Sequence, residues 1–171
     1  MFIKEGSLLK YKYIYCDLHA LYVKCKQNST FSDSLVSIVS IHRGRTFNLI
    51  EFGIEYFRHK EDKQKMKFLI ITDKNKIISI SRVSYNTKQN VGILALVHTL
   101  QQYRGQGLCQ LNIKKLIKYT QKRSKITFYK LGVYVSNTTA VKCYQKCGFK
   151  IKNTIKEDDI EDSYSMTLKI K

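Results

Sequence analysis

The feature that most constrains the fold is a strand, a short glycine loop and a helix in immediate succession near residue 105. An apolar run at 92–97 is typical of a buried strand, and apolar residues between 111 and 117 form a helical pattern. The loop includes Gln102-Tyr103-Arg104-Gly105-Gln106-Gly107-Leu108. Backbone N–H groups at a helix start lack partners, and a glycine lets a ligand approach the main chain closely. The junction predicts a pyrophosphate site, although a tight turn without a ligand has the same Gly-x-Gly pattern.

A second motif lies downstream of this junction. Tyr129 to Val135 reads as a strand, and Asn137-x-x-Ala140-x-x-x-Tyr144-x-x-x-Gly148-Phe149 follows it. Asn137 suits the N-cap of a helix that Gly148 would end. Taken together, the two motifs resemble those of the GCN5-related N-acetyltransferase superfamily. The resemblance covers about residues 91–150, and residues 1–65 show none.

This resemblance implies the fold class and the activity. The expected fold is one α/β domain over residues 1–171, with the cofactor-binding core at about 91–150. Its mixed, mostly antiparallel sheet has flanking helices and a splayed central strand pair. The implied reaction is direct attack of a primary amine on acetyl-coenzyme A in a ternary complex. A non-catalytic acyl-coenzyme A-binding or nucleic-acid-associated module on the same fold is the alternative, because the cofactor strand carries no carboxylate.

The resemblance also implies which residues hold the cofactor. The backbone of Val97 and Thr99 would bond the pantetheine arm, and Asn137 would cap the second helix and contact the same arm. The side chain of Arg104 either adds a charge-assisted bond to phosphate or is an ordinary exposed arginine. The pyrophosphate would bind the backbone of the loop residues Gln102, Tyr103, Arg104, Gly105, Gln106, Gly107 and Leu108.

Two side chains are expected to move protons. Tyr144 matches the superfamily's general acid, since a phenol of pKa about 10 can deliver a proton to a departing thiolate; a buried structural aromatic is the alternative. Residues 91–97 contain no ionisable side chain, so His98 is the nearest general base. Strand alternation points His98 away from Val97 and Thr99 unless a bulge intervenes. Its rivals are Glu51, Glu55 and His42.

The net charge of +18, from 31 Lys and Arg against 13 Asp and Glu, favours capture of coenzyme A. It should repel polycationic acceptors and favour neutral or anionic amines, such as phosphate-bearing amino sugars. Nucleic acid is a possible partner, but the lysines are scattered and no known nucleic-acid motif occurs. A solvated lysine-rich surface that reflects biased codon use is the preferred interpretation.

Cysteine use and hydropathy predict the compartment. No run of 18 apolar residues and no secretory signal is found, so we expect an intracellular, cytoplasmic protein that does not span a membrane. Five cysteines, an odd number, favour reduced thiols. The cysteines and His19 do not match a four-ligand zinc spacing, so no metal site is expected.

The remaining elements follow from periodicity and turn residues. Tyr11, Tyr13 and Tyr15 alternate as on a strand, paired with Leu21 to Cys25. Ser32 or Asp33 would cap a helix through Ile41 that Gly44 closes, and a second helix would run from Phe47 to Phe57. We expect strands at 68–71, 77–80, 91–100, 128–135, 149–155 and 163–170, helices at 105–122 and 137–147, and turns at 73–76, 86–90 and 157–162.

Overall fold

A computed structural model describes residues 3–8, 11–43, 65–86, 89–157 and 160–170, and these residues form eight strands and four α-helices. The strands are β1 (Ile3–Leu8), β2 (Tyr11–Asp17), β3 (Lys65–Asp73), β4 (Lys76–Asn86), β5 (Val91–Thr99), β6 (Phe128–Tyr134), β7 (Lys150–Glu157) and β8 (Ile160–Lys169). The helices are α1 (Leu18–Gln27), α2 (Ser29–Arg43), α3 (Leu108–Ser124) and α4 (Thr138–Lys146). No helix in the described ranges combines the length and apolar character that a membrane span needs.

All eight strands form one sheet in the order β1-β2-β3-β4-β5-β6-β8-β7. Every neighbouring pair is antiparallel except β5 and β6, which run parallel. That pair is joined only where Val91 to Ile93 lie beside Phe128 to Lys130. The expected mixed sheet with a splayed central pair is therefore confirmed.

Helices cover both faces of the sheet. On one face, the core around Leu94, Tyr129 and Met166 includes Ile113 of α3 and Tyr144 of α4. On the other face, α1 and α2 pack over the sheet, and their buried residues form a second core with strand residues that include Ile14 and Ile70. Side chains of a strand alternate between the two faces, so β2 sends its tyrosines to the α3 side and Ile14 to the α1 side.

The structure corrects the expected N-terminal elements. Leu21 to Cys25 form part of α1 and are not a strand, because the Asp17 side chain accepts a hydrogen bond from the Ala20 N–H at 2.8 Å and starts a helix directly after β2. The partners of β2 are β1 and β3. Helix α2 starts earlier than expected, at Ser29, where Asn28 Oδ1 accepts from the Phe31 N–H at 2.8 Å. Gly44 and the helix expected from Phe47 to Phe57 lie outside the described residues.

The later elements agree more closely with expectation. Lys74 and Asn75 form a two-residue turn with φ of 45° and 69°, as expected between β3 and β4. Asn137 Oδ1 accepts from the Ala140 N–H at 3.2 Å, and Gly148 ends α4 with φ +94°. The turn expected at 157–162 is shorter in the structure, because β8 already begins at Ile160.

Two of the five cysteines are bonded to each other, contrary to the expectation of reduced thiols. Cys109 in the first turn of α3 forms a disulfide with Cys143 of α4, with the two Cα atoms 6.9 Å apart. Cys16, Cys25 and Cys147 are free and buried. The spacing of 34 residues gave no sign of the pairing, since only the packing of α3 against α4 brings the two thiols together.

Candidate functional site

The site begins where β5 and β6 separate. Beyond Ile93, the edge of β5 that faces β6 pairs with no described strand. A backbone edge of this kind presents N–H and C=O groups to any extended group that lies along it. Val97 and Thr99, the residues expected to bond a pantetheine arm, both lie on this unpaired part of β5.

A bulge interrupts β5 within the same segment. Ala95 pairs with Arg82 and His98 pairs with Ile80, so Leu96 and Val97 together lie opposite the single residue Ser81. Leu96 has φ +50°, the left-handed region that a leucine rarely adopts. Such a bulge re-aims backbone groups and side chains locally. Leu96 consequently packs towards α1 and α2, whereas Val97 packs towards α3.

The bulge ends at Val97, so the usual alternation of side chains resumes from Val97 to Thr99. Thr99 lies opposite Ser79 and bonds its hydroxyl at 3.0 Å on the α3 side. His98 lies opposite Ile80, which belongs to the core with α1 and α2. Residues directly opposite in an antiparallel pair share a face. His98 is therefore on the α1 and α2 face, away from Val97 and Thr99, despite the bulge.

The glycine loop follows β5 directly. A single 3-10 turn, Gln101–Tyr103, leads to Gly105 with φ +77° and Gly107 with φ +74°, and α3 begins at Leu108. No side chain caps the start of α3. A Cβ placed on Gly105 or Gly107 meets no protein atom within 4 Å. The space beside both glycines is therefore open at the positive end of α3, where the first N–H groups lack a side-chain cap.

Side chains of the loop hold it against the sheet. The Tyr11 hydroxyl donates to Gln106 Oε1 at 2.9 Å, and the Tyr103 hydroxyl donates to Asp73 Oδ2 at 3.0 Å. Arg104 Nε donates to the Thr99 carbonyl oxygen at 3.1 Å. These side chains position the loop, which leaves its backbone as the part available to a ligand.

A buried polar network links α3 to both strands beside the bulge. Asn112 of α3 is fully buried, and its Nδ2 donates to Ser79 Oγ at 3.1 Å. Ser81, opposite the bulge, donates its hydroxyl to Asn112 Oδ1. Ser79 in turn bonds Thr99, as described above. This network was not predicted from the sequence. The signals that could have indicated it are an asparagine on the apolar face of α3 and the serines at alternate positions of β4.

Tyr144 lies on the α3 and α4 face of the sheet. Its ring is buried and contacts Phe149 edge-on, with centroids 6.2 Å apart. Burial raises the pKa of the Tyr144 hydroxyl to about 12, with a smaller effect from nearby Cys147. The hydroxyl therefore keeps its proton throughout the neutral range.

The topology brings most of the expected residues to one end of the sheet. The glycine loop follows the carboxyl end of β5, and Asn137 follows the carboxyl end of its parallel neighbour β6. A crevice at the carboxyl ends of adjacent parallel strands is a common ligand site in α/β proteins. His98 lies on the α1 and α2 face of the sheet, and Tyr144 lies on the α3 and α4 face.

Other expected site residues are not located. Glu51 and Glu55 lie outside the described residues, and His42 belongs to α2 without a described side chain. Within the described ranges, no three His, Cys, Asp or Glu side chains are grouped as a metal ion would need.

Known proteins share both the sequence pattern and the fold. A family model described as the acetyltransferase (GNAT) family matches residues 35–149, which is more than half of the chain. No curated protein matches the chain significantly in sequence.

Three solved structures illustrate the likeness of fold. RimL, a ribosomal L7/L12 alpha-N-protein acetyltransferase in complex with coenzyme A, is 11% identical with a TM-score of 0.71, and 98% of each chain is covered. The ribosomal-protein-S5-alanine acetyltransferase from Vibrio fischeri is 14% identical with a TM-score of 0.71, covering 97% of this chain and 96% of that chain. Mutant forms of the spermidine/spermine N-acetyltransferase SpeG from Vibrio cholerae are 16% identical with a TM-score of 0.64, covering 93% and 94%.

Proposed function

Because the chain belongs to the acetyltransferase (GNAT) family, we propose that it transfers an acetyl group to a primary amine by direct attack in a ternary complex. The observation that carries the proposal is the unpaired edge of β5 leading into an uncapped helix start. An extended thioester arm and a pyrophosphate need those two features side by side. We propose that residues 1–171 act as one domain, with the cofactor core at about 91–150.

The described residues fit acetyl-coenzyme A, the cofactor of this family. When bound, it supplies an activated acetyl thioester. The open space above Gly105 and Gly107 fits the pyrophosphate against the N–H groups of the loop from Gln102 to Leu108. The backbone of Val97 and Thr99 and the side chain of Asn137 would hold the arm.

Tyr144 would act as the proton donor to the leaving thiolate. A hydroxyl with a pKa of about 12 is fully protonated at neutral pH, so the proton is in place when it is needed. A thiol has a pKa of about 8.5, so complete transfer from such a hydroxyl is uphill. We therefore assign Tyr144 mainly a hydrogen bond to the developing thiolate, with solvent completing the protonation.

His98 would accept the proton of the attacking amine. Its position on the α1 and α2 face separates it from the loop and supports an acceptor side on that face. A neutral imidazole can take the proton directly or through a water molecule. Glu51, Glu55 and His42 remain rival bases until variants of each are compared.

The names of the proteins with a similar fold mention amine acceptors of different size, from ribosomal proteins to spermidine and spermine. We propose only the shared chemistry, a primary amine, for this chain. The non-catalytic alternative stays relevant because β5 carries no carboxylate.

An acceptor screen tests the proposal. Release of free thiol from acetyl-coenzyme A is followed with small amines, amino sugars, polyamines and peptides with free N-termini, while calorimetry measures coenzyme A affinity. Acceptor-dependent thiol release is the expected result. Tight coenzyme A binding without acceleration by any amine would instead identify a binding module, and absence of binding would remove the cofactor site as well.

A further inference from the structure

The positive charge of this protein is segregated along the chain. Between Asp73 and Glu157 there is no Asp or Glu, yet the same stretch contains seventeen Lys and Arg. The rest of the chain has fourteen Lys and Arg against all 13 Asp and Glu, and so is nearly neutral. Biased codon use acts on the whole chain and does not explain a loss of carboxylates from one segment.

The fold gathers part of this charge on one surface, which we call the basic face: Lys114, Lys118, Lys122, Lys142 and Lys146. All five side chains are exposed. The three on α3 are spaced by four residues, so they form a stripe along one side of the helix with about 6 Å between successive lysines. Within the described residues, none of the five forms an ion pair.

Contacts between the two helices make the basic face continuous. The disulfide from Cys109 to Cys143 ties α3 to α4, and Cys147 Sγ lies 3.9 Å from the Gln110 carbonyl oxygen. Lys114 is close enough to Cys147 to oppose the rise that burial causes in the pKa of that thiol. The α3 stripe and the end of α4 are therefore neighbours on the surface.

Capture of the cofactor does not account for the basic face. Lys122 is fifteen residues beyond Gly107, which is about 22 Å along α3. The lysines of the stripe thus extend well past the helix start where a pyrophosphate would bind. A second, longer polyanion is the natural partner for such a surface.

We propose that the basic face binds the phosphate backbone of a nucleic-acid duplex without reading its bases. A row of lysines releases counterions when it meets phosphates, which supplies affinity independent of sequence. Single strands are disfavoured because base stacking needs exposed aromatic rings, and the tyrosine of α3 nearest the stripe, Tyr119, stacks on Tyr15 with ring centroids 4.5 Å apart.

An anionic membrane fits this surface less well. Helices that lie on membranes bury an apolar side next to the basic one. The exposed large apolar side chains of the described residues are Ile93, Tyr134, Ile151 and Ile155, and none belongs to α3 or α4. The outer side of these helices offers charge without an apolar anchor.

The test is fluorescence anisotropy with labelled short duplexes of RNA and of DNA, over a range of salt concentrations and without cofactor. The variant Lys114→Gln/Lys118→Gln/Lys122→Gln removes three charges from the basic face. The matched control Lys12→Gln/Lys26→Gln/Lys65→Gln removes three charges from exposed lysines elsewhere. We expect the first variant to weaken duplex binding at least about tenfold and to reduce the salt slope by up to about 2.7, and the control to bind like the wild type.

Three outcomes would overturn the proposal: no duplex binding by the wild type, equal weakening by both triple variants, or stronger binding to single strands or anionic vesicles than to duplexes. Coenzyme A affinity of each variant reports whether the fold is intact. Comparison of the two duplexes identifies which backbone is preferred. Because the readout needs neither cofactor nor acceptor, failure of the proposed acetyl transfer would leave this result unaffected.

Discussion

Gly107 is the residue whose replacement should report most directly on the cofactor. In Gly107→Glu the new Cβ meets no protein atom within 4 Å, so the fold should survive. The positive φ of +74° costs any L-residue about 1 kcal/mol. The added carboxylate would lie near the uncapped start of α3 and repel a pyrophosphate. We expect coenzyme A affinity to fall more than tenfold by calorimetry. Gly107→Ala carries the same backbone strain with a smaller side chain and no charge, so it should lower the melting temperature equally and lose less affinity than Gly107→Glu. Equal affinities for the wild type and Gly107→Glu would remove the pyrophosphate from residues 102–108.

Tyr144 is the residue proposed to assist departure of the thiolate. Tyr144→Phe keeps the ring against Phe149, so stability and coenzyme A affinity should change little. We expect kcat to fall on the order of 10²-fold, since the hydrogen bond that stabilises the developing thiolate is lost. Because the pKa of the hydroxyl is about 12, its deprotonation should not lower the wild-type kcat at any pH below about 10.

The control is Tyr129→Phe, which removes the hydroxyl contact to Thr120 at 2.8 Å in the same core. This control should lose about 1 kcal/mol of stability and keep kcat. A Tyr144→Phe enzyme with unchanged kcat would leave Tyr144 a purely structural role.

Hydrogen bonds between α3 and β4 hold the helix start beside the bulged strand. Asn112 makes these bonds, and Asn112→Leu would leave the buried hydroxyls of Ser79 and Ser81 without their amide partner. We expect a loss of about 1–3 kcal/mol in stability and a KM for acetyl-coenzyme A that rises more than kcat falls. Thr120→Val is the matched control, because Thr120 is equally buried on α3 but bonds Leu116 and Tyr129. It should lose stability with KM unchanged. If the two variants shift the KM for acetyl-coenzyme A equally, Asn112 contributes no more than Thr120 to the alignment of the site.

The net positive charge of the protein should influence which amines reach the site. A polycation such as spermine should have a higher KM than a phosphate-bearing amino sugar, because the overall field is positive. Raising the ionic strength should lower the KM for spermine and raise that for the sugar phosphate, since screening weakens both interactions. All carboxylates, however, lie outside residues 74–156. A spermine KM that rises with salt would mean that those carboxylates set the field at the acceptor side, against our expectation.

Elements whose signals are local could be predicted from the sequence. The turn at Lys74 and Asn75, the Asn137 cap and the Gly148 stop depend on neighbouring backbone groups, and each was predictable from residue type. The family resemblance over residues 91–150 rests on such local motifs. Where local signals compete, the prediction can be wrong. The strand predicted at Leu21 to Cys25 is part of a helix, because the cap at Asp17 outweighs the strand-like composition.

The contacts between distant segments could not be predicted from the sequence and follow from the packed fold. The bulge at Leu96, the network around Asn112 and the bond between Cys109 and Cys143 each join residues that are far apart in sequence or shift register against a neighbouring strand. No local pattern encodes such contacts, since they depend on which side chains the packed helices and strands bring within hydrogen-bonding or bonding distance. The basic face also depends on the fold. The segment without carboxylates is visible in the sequence, but the grouping of its lysines on α3 and α4 follows from the fold.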